Sequence, residues 1–334
     1  MQPKDVRECA QIIATHPVIG PRYGGAIKDL HSAWLRLLGR EAMTTAVFEE
    51  TNGARATIVG VGVGVFVRDD FVRELKTSPQ FWFGRELTER TITGNSPVLT
   101  DREVREANSD EGLNELVWET LTWPQFSGRT EIYHLMGSAY IEIHRGFRLR
   151  EMITAQAESA ERLQWAVDAG GLYWDAVRGR YTKSLPGRAE EFFTRPHIVG
   201  ITRELELARP GSWVGVLFDY HPPRLGFSRS EQELLLVALR CGGGTDRELA
   251  TALHLTVPTV KKLWVSIYHR ATLGEPVILS DRGPAETGHT VRGRGKKHRL
   301  LAYIRLHPEE LRPVSRRRIN AGRPTSGCSL DSGY

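Results

Sequence analysis

Four side chains in the last third of the chain have types and spacing suited to gripping an anionic, hydrogen-bonding surface. Lys261 and Lys262 carry ammonium donors, and Val265 and His269 follow Lys261 at successive intervals of four. At 100° per residue these four cluster on one side of a helix. Such a face offers cations to phosphates, donors to the acceptors on base edges, and an apolar contact that fits a thymine methyl. Two lysines alone also describe an ordinary solvated face, so the elements that would position them decide the reading.

Those elements are well punctuated. Thr256 is placed to cap a helix whose first turn tolerates Pro258, because a proline there lacks only an N–H that would be unpaired anyway. Val260, Leu263, Trp264, Ile267 and Ala271 fall on the side opposite the lysines, giving an inner and an outer face. Upstream, Ser228 with Glu231 and Thr245 with Glu248 are two capping boxes, each opening a short apolar-striped helix. Leu234, Leu235, Ala238 and Leu239 form the first stripe; Leu249, Ala250 and Leu253 form the second. Gly242 to Gly244 stop the first helix, and His254-Leu255 makes a tight turn between the second and the third. Helix, tight turn and amphipathic helix with exposed lysines at its start is the geometry of a helix-turn-helix.

The stretch Phe227 to Leu273 resembles the LuxR/GerE-type helix-turn-helix of bacterial transcription regulators. The resemblance rests on Glu231 and Glu233 to Leu235, on Arg247-Glu248-Leu249-Ala250, on Leu253-x-Leu255-Thr256, on Thr259-Val260-Lys261, on Ser266-Ile267-Tyr268 and on Leu273-Gly274. It implies base contacts from Lys261, Lys262 and Val265. Around them Thr256, Thr259, His269 and Arg270 complete the expected DNA-binding set. The glycine run is one residue longer than the family's usual connection, and Leu263 occupies a commonly polar position. The implied partners are double-stranded DNA and a second copy of the chain, since half-sites are usually read by two-fold symmetric dimers. RNA polymerase and a small-molecule effector are left open as further partners.

With 334 residues, 40% hydrophobic and 25% charged, the chain has the composition of a globular protein of about two domains. The expected fold class is α+β: a mixed α/β sensor domain over 1–223, then an all-α helix-turn-helix domain over 224–274. A glycine- and proline-rich linker over 275–295 and a basic helix and tail over 296–334 complete the layout. The net charge of +5 is unevenly spread, with eleven basic residues against Glu309 and Glu310 between Val291 and Arg323. That concentration reads as a phosphate-contacting tail. No apolar leader segment opens the chain, its longest apolar run, Ile58 to Val67, is far short of a membrane span, and Cys9, Cys241 and Cys328 are odd in number and scattered. The expectation is a cytoplasmic protein without membrane contact.

In the N-terminal part, Ala26 to Leu38 reads as a helix, and Thr45–Glu50 and Ala56–Arg68 as a hairpin turning near Asn52-Gly53. The second strand alternates valine and glycine, which permits close approach of a helix, a backbone or a ligand. It lacks the turn into a helix that a dinucleotide fingerprint needs. A helix starts at Asp69, and Pro97 to Trp118 is ambiguous. Ala139–Ile143 reads as a strand, Phe147 to Leu163 as an amphipathic helix, Gly171–Thr182 as a hairpin and Ser212–Asp219 as an apolar strand.

For small-molecule chemistry, Arg145, Gly146 and Arg148 would stand at the N-terminus of that expected helix, where N–H groups and the dipole favour an anion. The loop is faintly similar to the pyrophosphate-binding turn of GNAT acyltransferases, so an acyl-CoA-binding acyltransferase with an appended DNA-binding module is the alternative. His134, Glu142 and His144 carry no stated catalytic partner. No zinc-protease, nucleophile-elbow, phosphate-loop or cysteine/histidine metal spacing is present. No catalytic residue, metal or cofactor is therefore expected.

Overall fold

The computed structural model describes residues 1–52, 55–78, 81–157, 160–168, 170–185, 196–208, 213–279 and 294–313. Two compact units divide the chain, Met1–Tyr220 and His221–Tyr334. Together they make an α+β protein.

The first unit opens with α1 (Val6–Thr15), α2 (Ile19–Tyr23), a 3-10 segment Gly24–Asp29 and α3 (Leu30–Leu37). The strands β1 (Met43–Asn52) and β2 (Arg55–Val67) follow, then α4 (Asp69–Thr77), α5 (Phe83–Thr93), α6 (Asp101–Ser109) and β3 (Leu113–Thr122). Next come α7 (Thr130–His144), β4 (Leu149–Ala157), α8 (Ala160–Asp168), β5 (Leu172–Asp175), β6 (Arg180–Thr182), β7 (His197–Thr202) and α9 (Arg203–Leu207). Among the described residues the strands form one seven-stranded sheet in the order β1-β2-β3-β4-β7-β5-β6. All neighbours are antiparallel except β3 and β4. Parallel neighbours cannot be joined by a tight turn, and α7 lies in the crossover between them.

The valine–glycine alternation of β2 sorts its two faces. Val61, Val63 and Val65 are buried in the main core with Ile12, Ile13, Trp34 and Leu37 from the N-terminal helices. The glycines face α7: a Cβ on Gly60 would approach Met136 and one on Gly64 would strike Glu115 and Thr44. Between Val59, which packs with Ile132 and Met136, and Phe66, which lies against His144, the glycines at 60, 62 and 64 leave this face bare, so a helix and buried polar groups come close there.

Three segments fold against their apparent period. Ala139–Ile143 is not a strand but the last turns of α7, in which Ile132, Met136, Tyr140 and His144 recur every four residues. Phe147 to Leu163 is not one helix but β4 followed by α8 (Ala160–Asp168). Strand β4 lies inside the sheet, and Glu151, Met152 and Ile153 in succession are buried; burial on both faces removes the period-two signal. Of the expected strand Ser212–Asp219, Ser212 lies outside the described residues, and Trp213–Leu217 is a 3-10 helix, with Val214, Leu217 and Phe218 buried. The expected helix Ala26–Leu38 is the α-helix only over Leu30–Leu37, with Gly24–Asp29 in 3-10 form before it. The β1–β2 hairpin, the β5–β6 hairpin turning through Arg178-Gly179 and the helix starting at Asp69 are all present.

The second unit is all helix: α10 (Arg229–Arg240), α11 (Asp246–Leu253), α12 (Val257–Gly274) and α13 (Arg294–Leu306), with 3-10 turns Pro276–Leu279 and Pro308–Leu311. Part of the expected linker is thus ordered, as the turn Pro276–Leu279. Leu234, Leu235, Leu249, Val260, Trp264 and Ile267 pack with Leu300, Leu301, Ile304 and Leu311 in one core. The basic helix α13 is therefore a structural member of the helical unit rather than a separate appendage. Two anchors fix this end of the chain. Glu310 accepts from the backbone N–H groups of Arg224 and Leu225, both at 2.9 Å, and Lys297 donates to Gly244 O at 2.6 Å.

Candidate nucleic-acid interface

Capping builds the interface from the chain upward. The Ser228 N–H donates to Glu231 Oε2 at 2.6 Å, and the Thr245 N–H to Glu248 Oε2 at 2.6 Å. Thr256 Oγ1 accepts from the Thr259 N–H at 3.3 Å, and the two threonine hydroxyls are 2.8 Å apart. These bonds satisfy amides that a helix start otherwise leaves bare. The turn between α11 and α12 depends on His254, which takes a left-handed φ of 54° and closes α11. A histidine there has no β-branch to aggravate the strain.

With its start fixed, α12 divides as its period demands. Val260, Trp264, Ile267 and Ala271 are buried and Leu263 is half-buried, whereas Lys261, Lys262, Val265 and His269 are exposed. Val265 is the notable one, at 70% exposed. Thr256 and Thr259 are exposed at the helix start, so their hydroxyls serve the cap while still facing outward.

Arg270 is different. It bridges back to α10, with its Nε 3.1 Å from Glu231 Oε2 and its Nη1 donating to Gly226 O at 2.8 Å. Burial would raise the Glu231 pKa, yet bonds from Ser266 and Ser228 and the charge of Arg270 outweigh it and hold the carboxyl below its ordinary value. Arg270 thus clamps α12 to α10, a role the sequence pattern did not reveal.

Lys297, one of the eleven basic residues expected to contact phosphates, instead turns into the helical unit. Its ammonium lies 4.8 Å from the centre of the Trp264 ring, and burial lowers its pKa. Arg299 reaches the Leu279 carbonyl. Of the remaining basic cluster, Lys296 and Arg305 are exposed on α13, while Arg292, Arg316, Arg317, Arg318 and Arg323 lie outside the described residues.

The other expected site loses its geometric premise. Arg145, Gly146 and Arg148 follow the C-terminus of α7, not the N-terminus of a helix. Carbonyls and the negative dipole end there disfavour an anion. Arg145 pairs with Glu142 at 3.3 Å, and the Arg148 N–H donates to Asn108 at 2.8 Å. Glu142 and His144 both lie on α7 but in different surroundings: Glu142 is exposed, and His144 is buried beside Glu115. No spacing rule could have found that pairing, because Glu115 on β3 and His144 on α7 meet only where the helix packs against the sheet.

Among the described residues no group of three or more histidine, cysteine, aspartate or glutamate side chains is arranged to hold a metal ion. Among the same residues no helix is long and apolar enough to cross a membrane. No protein-family model, curated protein or solved structure matches the chain.

Proposed function

We propose that this protein is a DNA-binding transcription regulator of the LuxR type, in which α12 is the recognition helix of a helix-turn-helix and the first unit is a sensor domain. The observation that carries the reading is the division of α12: an inner face locked into a four-helix core, and an outer face where Lys261, Lys262, Val265 and His269 stand together in solvent. A rigid scaffold with exposed donors at the start of one helix is what major-groove readout needs. Lys261 and Lys262 supply donors to base acceptors, Val265 meets a thymine methyl, and Thr256 and Thr259 with the exposed lysine and arginine of α13 address phosphates. Two copies bound to an inverted repeat would place one α12 in each half-site.

The test is selection of duplexes from a random DNA pool by the full chain at fixed salt, followed by titration of the enriched motif against an unrelated duplex. The expected result is an inverted repeat bound at least about a thousandfold more tightly than unrelated DNA. Lys261→Ala/Lys262→Ala should abolish that preference while keeping the fold. Salt-sensitive binding without any enriched motif would overturn the proposal.

A further inference from the structure

Among the described residues the seven-stranded sheet ends in two unlike edges. At one end β6 is three residues long, Arg180–Thr182. At the other, β1 runs for ten residues, Met43–Asn52. A long open edge invites a further strand, and folds commonly blunt such edges with short strands, lysine, proline or a bulge. Strand β1 carries no lysine and no proline. The irregularity in its pairing lies where Phe48 meets Gly60 and Glu49 meets Ile58, so the extra residue is Val59 of β2 and β1 itself runs unbroken.

The alternation of an antiparallel ladder identifies the groups of β1 that are left over. The Phe66 N–H donates to Ala42 O at 2.8 Å, so the even-numbered residues from Ala42 to Phe48 turn their main chain toward β2. Thr45, Val47 and Glu49 turn theirs outward. Among the described residues no donor or acceptor answers those outward groups. The Met1 ammonium reaches the Thr45 hydroxyl at 3.3 Å, a contact with the side chain rather than the main chain. Both faces of the strand are packed, Val47 against the main core and Phe48 with Ile132 and Met136 of α7. The edge is therefore held extended by its own unit, and a partner strand would bind it without first having to order it. Over this edge α7 also exposes an apolar side chain, Leu135, at 55%.

We infer that β1 is the interface between two copies of this chain, joined edge to edge as antiparallel strands about a two-fold axis at Val47. One edge then serves both partners, as an isologous contact requires. This register pairs residues 43 to 51, nearly the whole strand, and it sorts the charges. Glu49 falls opposite the partner's Thr45 and Glu50 opposite the partner's Thr44, so each acid meets a hydroxyl. An axis at Glu49 would instead set two carboxylates directly against each other, which is destabilising. A foreign strand would have to bring its own complement to the two acids, whereas a second copy already carries it. The axis stands perpendicular to the sheet, so both α7 helices lie on one face of the joined sheet and flank the seam. The contact belongs to the first unit alone and stands whether or not α12 reads DNA.

Sedimentation equilibrium of the full chain without DNA tests it, together with residue-resolved hydrogen exchange. The expected result is a reversible monomer–dimer equilibrium in which protection of the Thr45, Val47 and Glu49 amides rises with protein concentration, while Thr44, Ala46 and Phe48 stay protected throughout. Val47→Pro removes an outward donor that β2 does not use, and an open edge tolerates proline at such a position. It should weaken the dimer by at least about tenfold with unchanged circular dichroism. Glu49→Pro, at an exposed position whose amide also points outward, is the second variant should Val47→Pro fail to fold. A chain that stays monomeric at every concentration would overturn the inference and leave the edge to a foreign strand. A dimer that persists in a folded proline variant, or outward amides that exchange freely within the dimer, would place the contact elsewhere and overturn it as well.

Discussion

The two units place their acids differently. In the helical unit Glu231 and Glu248 answer amides three residues upstream, and long-range partners come in addition: Glu231 also takes Arg270, and buried Glu310 accepts from Arg224 and Leu225. In the sheet unit the buried acids find partners far along the chain. Glu119 accepts from Tyr23 at 2.5 Å, Glu151 from Tyr181 at 2.6 Å and from Lys76, and Glu115 meets His144. Local pairs mostly organise helix ends and leave exposed faces free for a partner. Distant pairs set carboxylates inside a sheet, where they cost desolvation and earn a place only through close geometry or a ligand.

The largest test of this contrast is Glu115→Gln. Removing one partner of a fully buried pair costs about 3 kcal/mol or more in stability, and urea unfolding of the full chain should show it in the sheet unit. A loss below about 1 kcal/mol would mean that the pair is loosely held. Next comes Leu300→Ala. Leu300 is 0% exposed in the core of the helical unit, so truncation should cost about 2–5 kcal/mol and lower hydrogen-exchange protection in α10. If α13 were only a detachable tail, protection there would not change.

A smaller effect is expected at the local pair. The Glu231 pKa is depressed in the fold, so its contribution is complete above the ordinary carboxylate range and is lost as pH falls through the depressed value. Glu231→Gln should cost about 1 kcal/mol at neutral pH and flatten the acid side of the stability profile. Glu310 has the opposite sign. Burial raises its pKa despite two amide donors, so stability falls as pH rises from the ordinary range through the raised value. Thermal unfolding of Glu231→Gln and Glu310→Gln against pH should bend the two profiles in opposite directions. Lys261→Ala/Lys262→Ala should produce the smallest stability change, within about 0.5 kcal/mol, because both side chains lie in solvent.

The helical unit was legible because its signals are short-range. Ser228 with Glu231, Thr245 with Glu248, Thr256 with Pro258, and the two-sided period of 260–271 each lie within a few turns of helix. Those residues fixed where α10, α11 and α12 begin and which face of α12 is exposed. The sequence likewise determined that β2 is bare of side chains on one face over Gly60–Gly64. It could not determine what lies against that face. Ala139–Ile143 reads as a strand because its alternation competes with the four-residue repeat of Ile132, Met136, Tyr140 and His144, and β4 reads as helix because a strand buried on both faces loses its alternation. Only the tertiary structure could decide that α13 closes the helical core, that Arg270 turns inward to Glu231, and that Glu115, His144, Tyr140 and Thr44 meet beside Gly64. Local bonding and periodicity are written in neighbouring residues, whereas a pairing across a sheet depends on which strands are adjacent, and strand order is set by the packing of the whole unit.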